Sequence, residues 1–170
     1  MIHVYMGDGK GKTTAAIGLA VRHAGSGGRV LFVQFMKCMD TGELHVFDQL
    51  EAITVLRNTC RHGFSFAMTD QERMLVTAAH NENLAKASTA CRSGRCTLLV
   101  LDEIASAYAL NLIDRDAVDA LVDAADMPEL VLTGRDPSAH MLERADYITE
   151  MKLIRHPYTI GIQARRGIEF

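Results

Sequence analysis

The chain predicts an α/β fold in which a mostly parallel central sheet lies between two helical layers. Three observations carry that expectation. Short apolar runs alternate with helix-favouring segments from end to end, which is the pattern of βαβ units joined by right-handed crossovers. The runs are near-continuous rather than alternating, as strands covered on both faces require. Candidate polar and charged residues gather where those runs end, and open parallel sheets bind ligands at the carboxyl ends of their strands.

The first strand is the apolar stretch Ile2 to Tyr5, followed at once by Met6-Gly7-Asp8-Gly9-Lys10-Gly11-Lys12-Thr13-Thr14. Glycines let consecutive N–H groups face inward as an anion nest, and the helix that follows adds the partial positive charge of its N-terminus. The segment is a variant Walker loop: Met6 stands where the pattern has glycine, five residues before Gly11, and Gly7 and Gly9 supply the permissive backbone. Polyphosphate is the natural occupant. Lys12 is expected to set its charge on the outer phosphates and Thr13 to offer its hydroxyl to Mg²⁺. Gly7, Asp8, Gly9, Gly11 and Thr14 complete the cradle, while Lys10 either touches phosphate or is solvated. The fold class narrows to a three-layer sandwich of the P-loop NTPase type.

A helix over Thr14 to Ala24 is stopped by Gly25-Ser26-Gly27-Gly28. Val30 to Phe35 and Ile53 to Leu56 read as the next strands. The connection Met36 to Leu50 carries Lys37, Gly42 and Glu43, and is long enough for a short helix that still approaches a ligand. Thr69-Asp70-Gln71-Glu72 matches a capping box at the head of the longest helix, Asp70 to Ala90. After Ser93-Gly94 comes an apolar strand from Thr97 that ends in Asp102-Glu103, the form of a Walker B element whose carboxylate reaches Mg²⁺ directly or through water. The alternative is that one acid caps the helix from Ile104 and the other is solvated. Helices follow over Ile104 to Leu110 and from Asp114. The strand Leu130 to Thr133 then runs into Gly134-Arg135, where the arginine is expected to reach a phosphate or a substrate carboxyl or amide, or else to pair with Asp136 or Asp146.

The 170 residues are expected to form one domain, and the formal charge of −3 with scattered cations argues against nucleic acid and membrane as partners. Four cysteines show no CxxC spacing and read as free thiols in a reducing cytoplasm. The dispersed histidines form no zinc pattern, and His156, ahead of Pro157, reads as a turn or packing residue.

The loop, together with Val33-Gln34-Phe35-Met36-Lys37, Gly42-Glu43, Gly63-Phe64-Ser65-Phe66, Leu101-Asp102-Glu103, Leu132-Thr133-Gly134-Arg135, Ala145-Asp146, Arg155-His156-Pro157 and the terminal Gly167-Ile168-Glu169-Phe170, resembles the P-loop class of ATP:corrinoid adenosyltransferases over nearly the whole chain. The resemblance implies attack by the Co(I) of cobalamin, or of a precursor corrinoid, on the 5′ carbon of ATP, with release of triphosphate. It implies that Lys12 and the amides of Gly9, Gly11 and Thr14 hold the triphosphate, and that Thr13 and Glu103 hold Mg²⁺ with Asp102 behind them. Phe64 and Phe66 match an aromatic pair that packs on the lower face of the corrin and displaces its axial ligand. A homodimer and a reduced flavoprotein as electron donor are implied as well. The sequence departs from the family's usual residues at Cys38, Phe66, Met127 and Arg155, and it lacks the N-terminal extension that covers the site in some relatives. Two rival readings share the loop: a small nucleoside kinase acting on ATP's terminal phosphoryl, and a non-catalytic nucleotide or corrinoid sensor.

Overall fold

The computed structural model of the chain describes residues 1–58 and 68–169. Among them six strands, β1 (Ile2–Met6), β2 (Val30–Gln34), β3 (Ile53–Arg57), β4 (Leu98–Asp102), β5 (Glu129–Thr133) and β6 (Tyr147–Glu150), form one sheet in the order β3-β2-β4-β5-β1-β6. Every pairing is parallel. The carboxyl ends of all six strands therefore share one edge, with Gln34 level with Asp102 and Tyr5 level with Thr133.

The helices are α1 (Lys12–Gly25), α2 (Gly42–Phe47), α3 (Asp70–Arg92), α4 (Ile104–Ala109), α5 (Arg115–Val122) and α6 (Ala139–Arg144). Because successive strand residues point to opposite faces, each central strand feeds two cores. Val30 and Phe32 of β2, with Leu98 and Val100 of β4, pack on Ala16 and Ala20 of α1 and Phe47 of α2. Leu31 and Val33, with Leu99 and Leu101, face Leu84 and Ala87 of α3, Ile104 of α4, Val118 of α5 and Met141 of α6. That division makes the three layers, and it is why all five residues of β2 and of β4 are buried. Fully burying a side chain such as Leu99 or Phe32 contributes roughly 1.5–3 kcal/mol. No helix among the described residues is long and apolar enough to cross a membrane.

Most elements stand where the sequence places them, including the capping box, in which Thr69 accepts the Glu72 amide and Glu72 accepts the Thr69 amide. Three features differ. The first helix begins at Lys12 rather than Thr14, which puts Lys12 and Thr13 in its first turn. α6 and β6 were not expected. Strand β6 is exposed along its whole length and pairs only with β1, so Tyr-Ile-Thr-Glu lacks the apolar run by which the buried strands announce themselves.

Candidate active site

The phosphate loop turns on two glycines with left-handed φ, Gly7 at 99° and Gly11 at 119°. It rests against the segment that follows β6. The Gly7 amide donates to the Arg135 carbonyl at 3.3 Å, and the Gly9 amide to the Met151 carbonyl at 2.7 Å. A Cβ on Gly9 would lie 2.6 Å from that same Met151 oxygen and 2.8 Å from the Lys152 carbonyl, so this backbone approach admits only glycine. The Gly9 N–H, expected to face a phosphate, is thus engaged behind the loop.

Lys12, on the first turn of α1, is buried, and its Nζ donates to the carbonyls of Gly7 at 2.5 Å and Gly9 at 2.8 Å. The ammonium is held inside the curl of the loop, beside the first-turn amides that a helix leaves without intrahelical acceptors. Burial lowers its pKa below the ordinary lysine value. Glu103 opposes that shift, Arg135 reinforces it, and Asp8 and Asp102 oppose it more weakly. Arg135, Glu103 and Asp8 therefore all act on the field at Lys12. Among the described residues neither Asp136 nor Asp146 pairs with Arg135; Asp146 instead accepts the Ile2 amide at 2.7 Å.

Asp102, at the tip of β4, is completely buried. Its Oδ1 accepts the hydroxyls of Thr13 at 2.9 Å and Thr133 at 2.7 Å, and its Oδ2 accepts Lys37 Nζ at 2.6 Å. Lys37 Nζ also donates to Thr13 Oγ1 at 2.8 Å. The loop hydroxyl, the strand-tip carboxylate and an ammonium thus meet in one cluster, which gives the buried charge the pairing it requires. β5 lies between β1 and β4, which sets the Thr133 hydroxyl against Asp102 and the Glu103 amide. Glu103 has a left-handed backbone, φ 62°, fixed by its N–H donating to Thr133 Oγ1 at 2.8 Å, and its carboxylate accepts the Ser106 hydroxyl at 2.6 Å. Neither acid caps α4 with its side chain.

Lys37 reaches this cluster through a shaped turn. Met36 adopts φ 59°, and its amide donates to His80 Nε2 at 3.3 Å. His80 is buried on α3, and its Nδ1 lies 2.8 Å from the Leu112 carbonyl. A proton on Nδ1 and an acceptor at Nε2 satisfy both contacts. Beside it, Gln34 at the tip of β2 donates to Glu43 at 3.3 Å, and its buried Oε1 has no hydrogen-bond partner among the described residues.

The donors suit a hard cation: a hydroxyl and a carboxylate oxygen converge, and a cationic ammonium already sits against both. Lys10 has an exposed side chain, as the solvated alternative expects, and its ammonium lies 3.8 Å from the Glu169 carboxylate. His156 accepts the Tyr158 amide at 3.1 Å and heads a short 3-10 helix, Pro157–Ile160, which makes it a turn residue. Phe64 and Phe66 lie outside the described residues.

The profile of the family described as ATP:corrinoid adenosyltransferase BtuR/CobO/CobP matches residues 1–170. The chain belongs to this family. A corrinoid adenosyltransferase from Sinorhizobium sp is 35% identical over 173 residues, covering 100% of this chain and 80% of the relative. One from Pseudomonas aeruginosa is 34% identical over 169 residues, covering 98% and 82%. One from Escherichia coli K12 is 32% identical over 172 residues, covering 100% and 85%. Among solved structures, the ADP form of the Aeropyrum pernix ORC2 protein aligns with 89% of this chain and 42% of its own, at 12% identity and a TM-score of 0.42.

For a corrinoid adenosyltransferase, sequence reasoning picked out the loop and both acids but not the groups that join them. Lys37, Thr133, Gln34 and Met151 were not among the expected site residues. Gln34 and Thr133 carried one usable signal, a polar residue ending an otherwise apolar strand. Met151 carried none, because its contribution is a backbone carbonyl.

Proposed function

We propose that this chain transfers the 5′-deoxyadenosyl group of ATP to the Co(I) centre of a corrinoid and releases inorganic triphosphate. The reading rests on one observation above all. In a chain of this family, the loop bearing Lys12 and Thr13 is tied directly to the strand-tip Asp102, with Glu103 beside it. The substrate's cobalt brings the electron pair that forms the cobalt–carbon bond, and the breaking C5′–O bond leaves its electrons on triphosphate. The protein's own work is then to orient ATP and to stabilise a departing polyanion.

Lys12 supplies a fixed charge in a poorly solvated place, where it acts more strongly than in water. Gly7, Asp8, Lys10, Gly11 and Thr14 would complete the phosphate cradle, and Arg135, whose charge acts on Lys12, would add a second cation to it. Thr13 and Glu103, with Asp102 behind them, would hold Mg²⁺, which when bound offsets charge accumulating on the triphosphate. Asp102 keeps the Thr13 hydroxyl and the Lys37 ammonium in register with the loop. Phe64 and Phe66 are proposed to pack on the lower corrin face and displace the axial ligand, which eases reduction of Co(II). Phe66→Ala should then slow the reaction of cob(II)alamin under a weak reductant more than that of pre-reduced cob(I)alamin; equal losses exclude the role.

A homodimer is part of the proposal. Ile154, Tyr158 and Ile160, all after β6, are 89%, 68% and 77% exposed, large apolar side chains that a second copy would cover. The electrons for Co(I) are assigned to a reduced flavoprotein in the cytoplasm.

The test is anaerobic incubation with ATP, Mg²⁺ and chemically reduced cobalamin, read by the visible spectrum and by analysis of the phosphate product. Triphosphate with an adenosylcobalamin spectrum is expected. ADP would mark a phosphotransferase, and tight binding without turnover would mark a sensor.

A further inference from the structure

Two cysteines that the proposed reaction does not use meet at the opposite end of the sheet from the phosphate loop. Cys91 lies in the last turn of α3 and Cys96 just before β4, and their sulfurs are 3.4 Å apart. Both are free thiols and both are nearly buried, at 6% exposure each. The turn between them is held shut. Arg29 donates from Nη2 to the Gly94 carbonyl at 2.9 Å and from Nε to the Arg95 carbonyl at 3.2 Å, and the Gly94 and Arg95 amides donate to the carbonyls of Cys91 and Ala90 at 2.9 Å. The clasp fixes the two backbones, so the sulfurs can separate without breaking it only by rotation of their side chains.

Burial alone would make such thiols inert. Cys96, however, lines a cavity of about 520 Å³ between α3 and the edge of the sheet, together with Leu31, Leu56, Lys86, Thr89 and Ala90. A small oxidant can therefore reach Cys96. The two sulfurs also differ in character. The Cys96 thiol is held below the ordinary thiol range by the hydrogen bond it shares with Cys91, against the opposing effect of burial and with help from the positive charge of Arg29 and Arg95. Cys91 is raised, first by the hydrogen bond it shares with Cys96 and then by burial.

We propose that Cys91 and Cys96 form a peroxide-responsive dithiol site that closes to an intramolecular disulfide. The Cys96 thiolate attacks the peroxide oxygen, forming an S–O bond as the O–O bond breaks, and gives a sulfenic acid and one water. Cys91 sulfur then attacks Cys96 sulfur, forming the S–S bond as the S–O bond breaks and a second water leaves. Two thiol protons and two electrons pass to the peroxide, and a dithiol reductant reverses the change. The closed form staples the end of α3 to the entry of β4.

The test uses the full chain carrying Cys38→Ser and Cys60→Ser, so that two thiols remain. Trypsin cuts after Arg92 and Arg95, inside the loop a disulfide would close. After hydrogen peroxide, peptides 87–92 and 96–115 should appear as one linked species that separates on adding dithiothreitol, and both thiols should be lost together. Retention of both thiols, higher oxidation of either without a link, or links between chains would overturn the proposal. In the single variants, a sulfenic-acid trap should label Cys96 in Cys91→Ser at least about tenfold faster than Cys91 in Cys96→Ser. Equal labelling would remove Cys96 as the attacking thiol. Because neither readout requires ATP or a corrinoid, failure here is distinguishable from failure of the proposed reaction.

Discussion

Lys12 and Lys37 reach the phosphate loop by different routes and should fail differently when removed. Lys12 is held by loop carbonyls and, among the described residues, carries no carboxylate partner of its own within hydrogen-bond reach, so its charge is available to a ligand. Lys12→Ala is expected to leave the melting temperature close to that of the parent and to lower turnover by at least about two orders of magnitude, the usual scale for removing preorganised charge from a leaving group. A near-normal rate in the cobalamin assay would remove the role assigned to the loop. Lys37 is tied to the buried Asp102. Lys37→Ala should therefore destabilise the protein itself, by about 1–3 kcal/mol in urea unfolding, since it leaves a buried carboxylate short of a partner. Unchanged stability would mean that the two hydroxyls on Asp102 suffice.

At the scale of elements, the join between β5 and α4 depends on one residue. Gly134 has φ 151°, and a Cβ there would lie 2.6 Å from the Ala105 Cβ and 2.8 Å from the Ser106 amide nitrogen. Gly134→Ala should cost at least about 2 kcal/mol through backbone strain and overpacking, and the displacement should pass to Thr133 and Arg135 on either side. Calorimetry checks the stability, and ATP titration checks whether the site shifts with it. The same join shows what could be read from the sequence. β2, β4 and β5 were legible because buried strands write long apolar runs, β1 and the edge strand β3 because their half-buried residues are still mostly apolar, and α3 because a capping box is a local signal. The loop and the paired acids were legible because their chemistry demands particular residue types at fixed spacing. β6 was hidden because an exposed edge strand needs only backbone pairing. Lys37 was hidden because its aim depends on the left-handed Met36 and on His80, which is 44 positions away, a relation no local pattern encodes.

For the molecule as a whole, strand order sets what each part needs. β1 sits between β5 and β6, and the loop it carries is backed by the chain just beyond β6. A chain cut after Arg144 keeps Lys12, Thr13, Asp102, Glu103 and Arg135 but loses the Gly9 contact to Met151 and one whole side of β1. It should weaken nucleotide binding at least about tenfold, because an unbraced loop must be ordered when it binds. Equal affinity by calorimetry would show that the brace is dispensable.

The contact between Gly9 and Met151 also has a bearing on time. On a ribosome the N-terminal end emerges first, as domains are built in the order of translation, yet the prop for this loop is encoded some 140 positions downstream. The loop leaves the exit tunnel before its support is made and is expected to become rigid only after Met151 has followed. Nascent chains stalled before Met151 should fail to retain a labelled ATP analogue that the released protein holds, and retention by the stalled chain would show that the loop matures without its distant support.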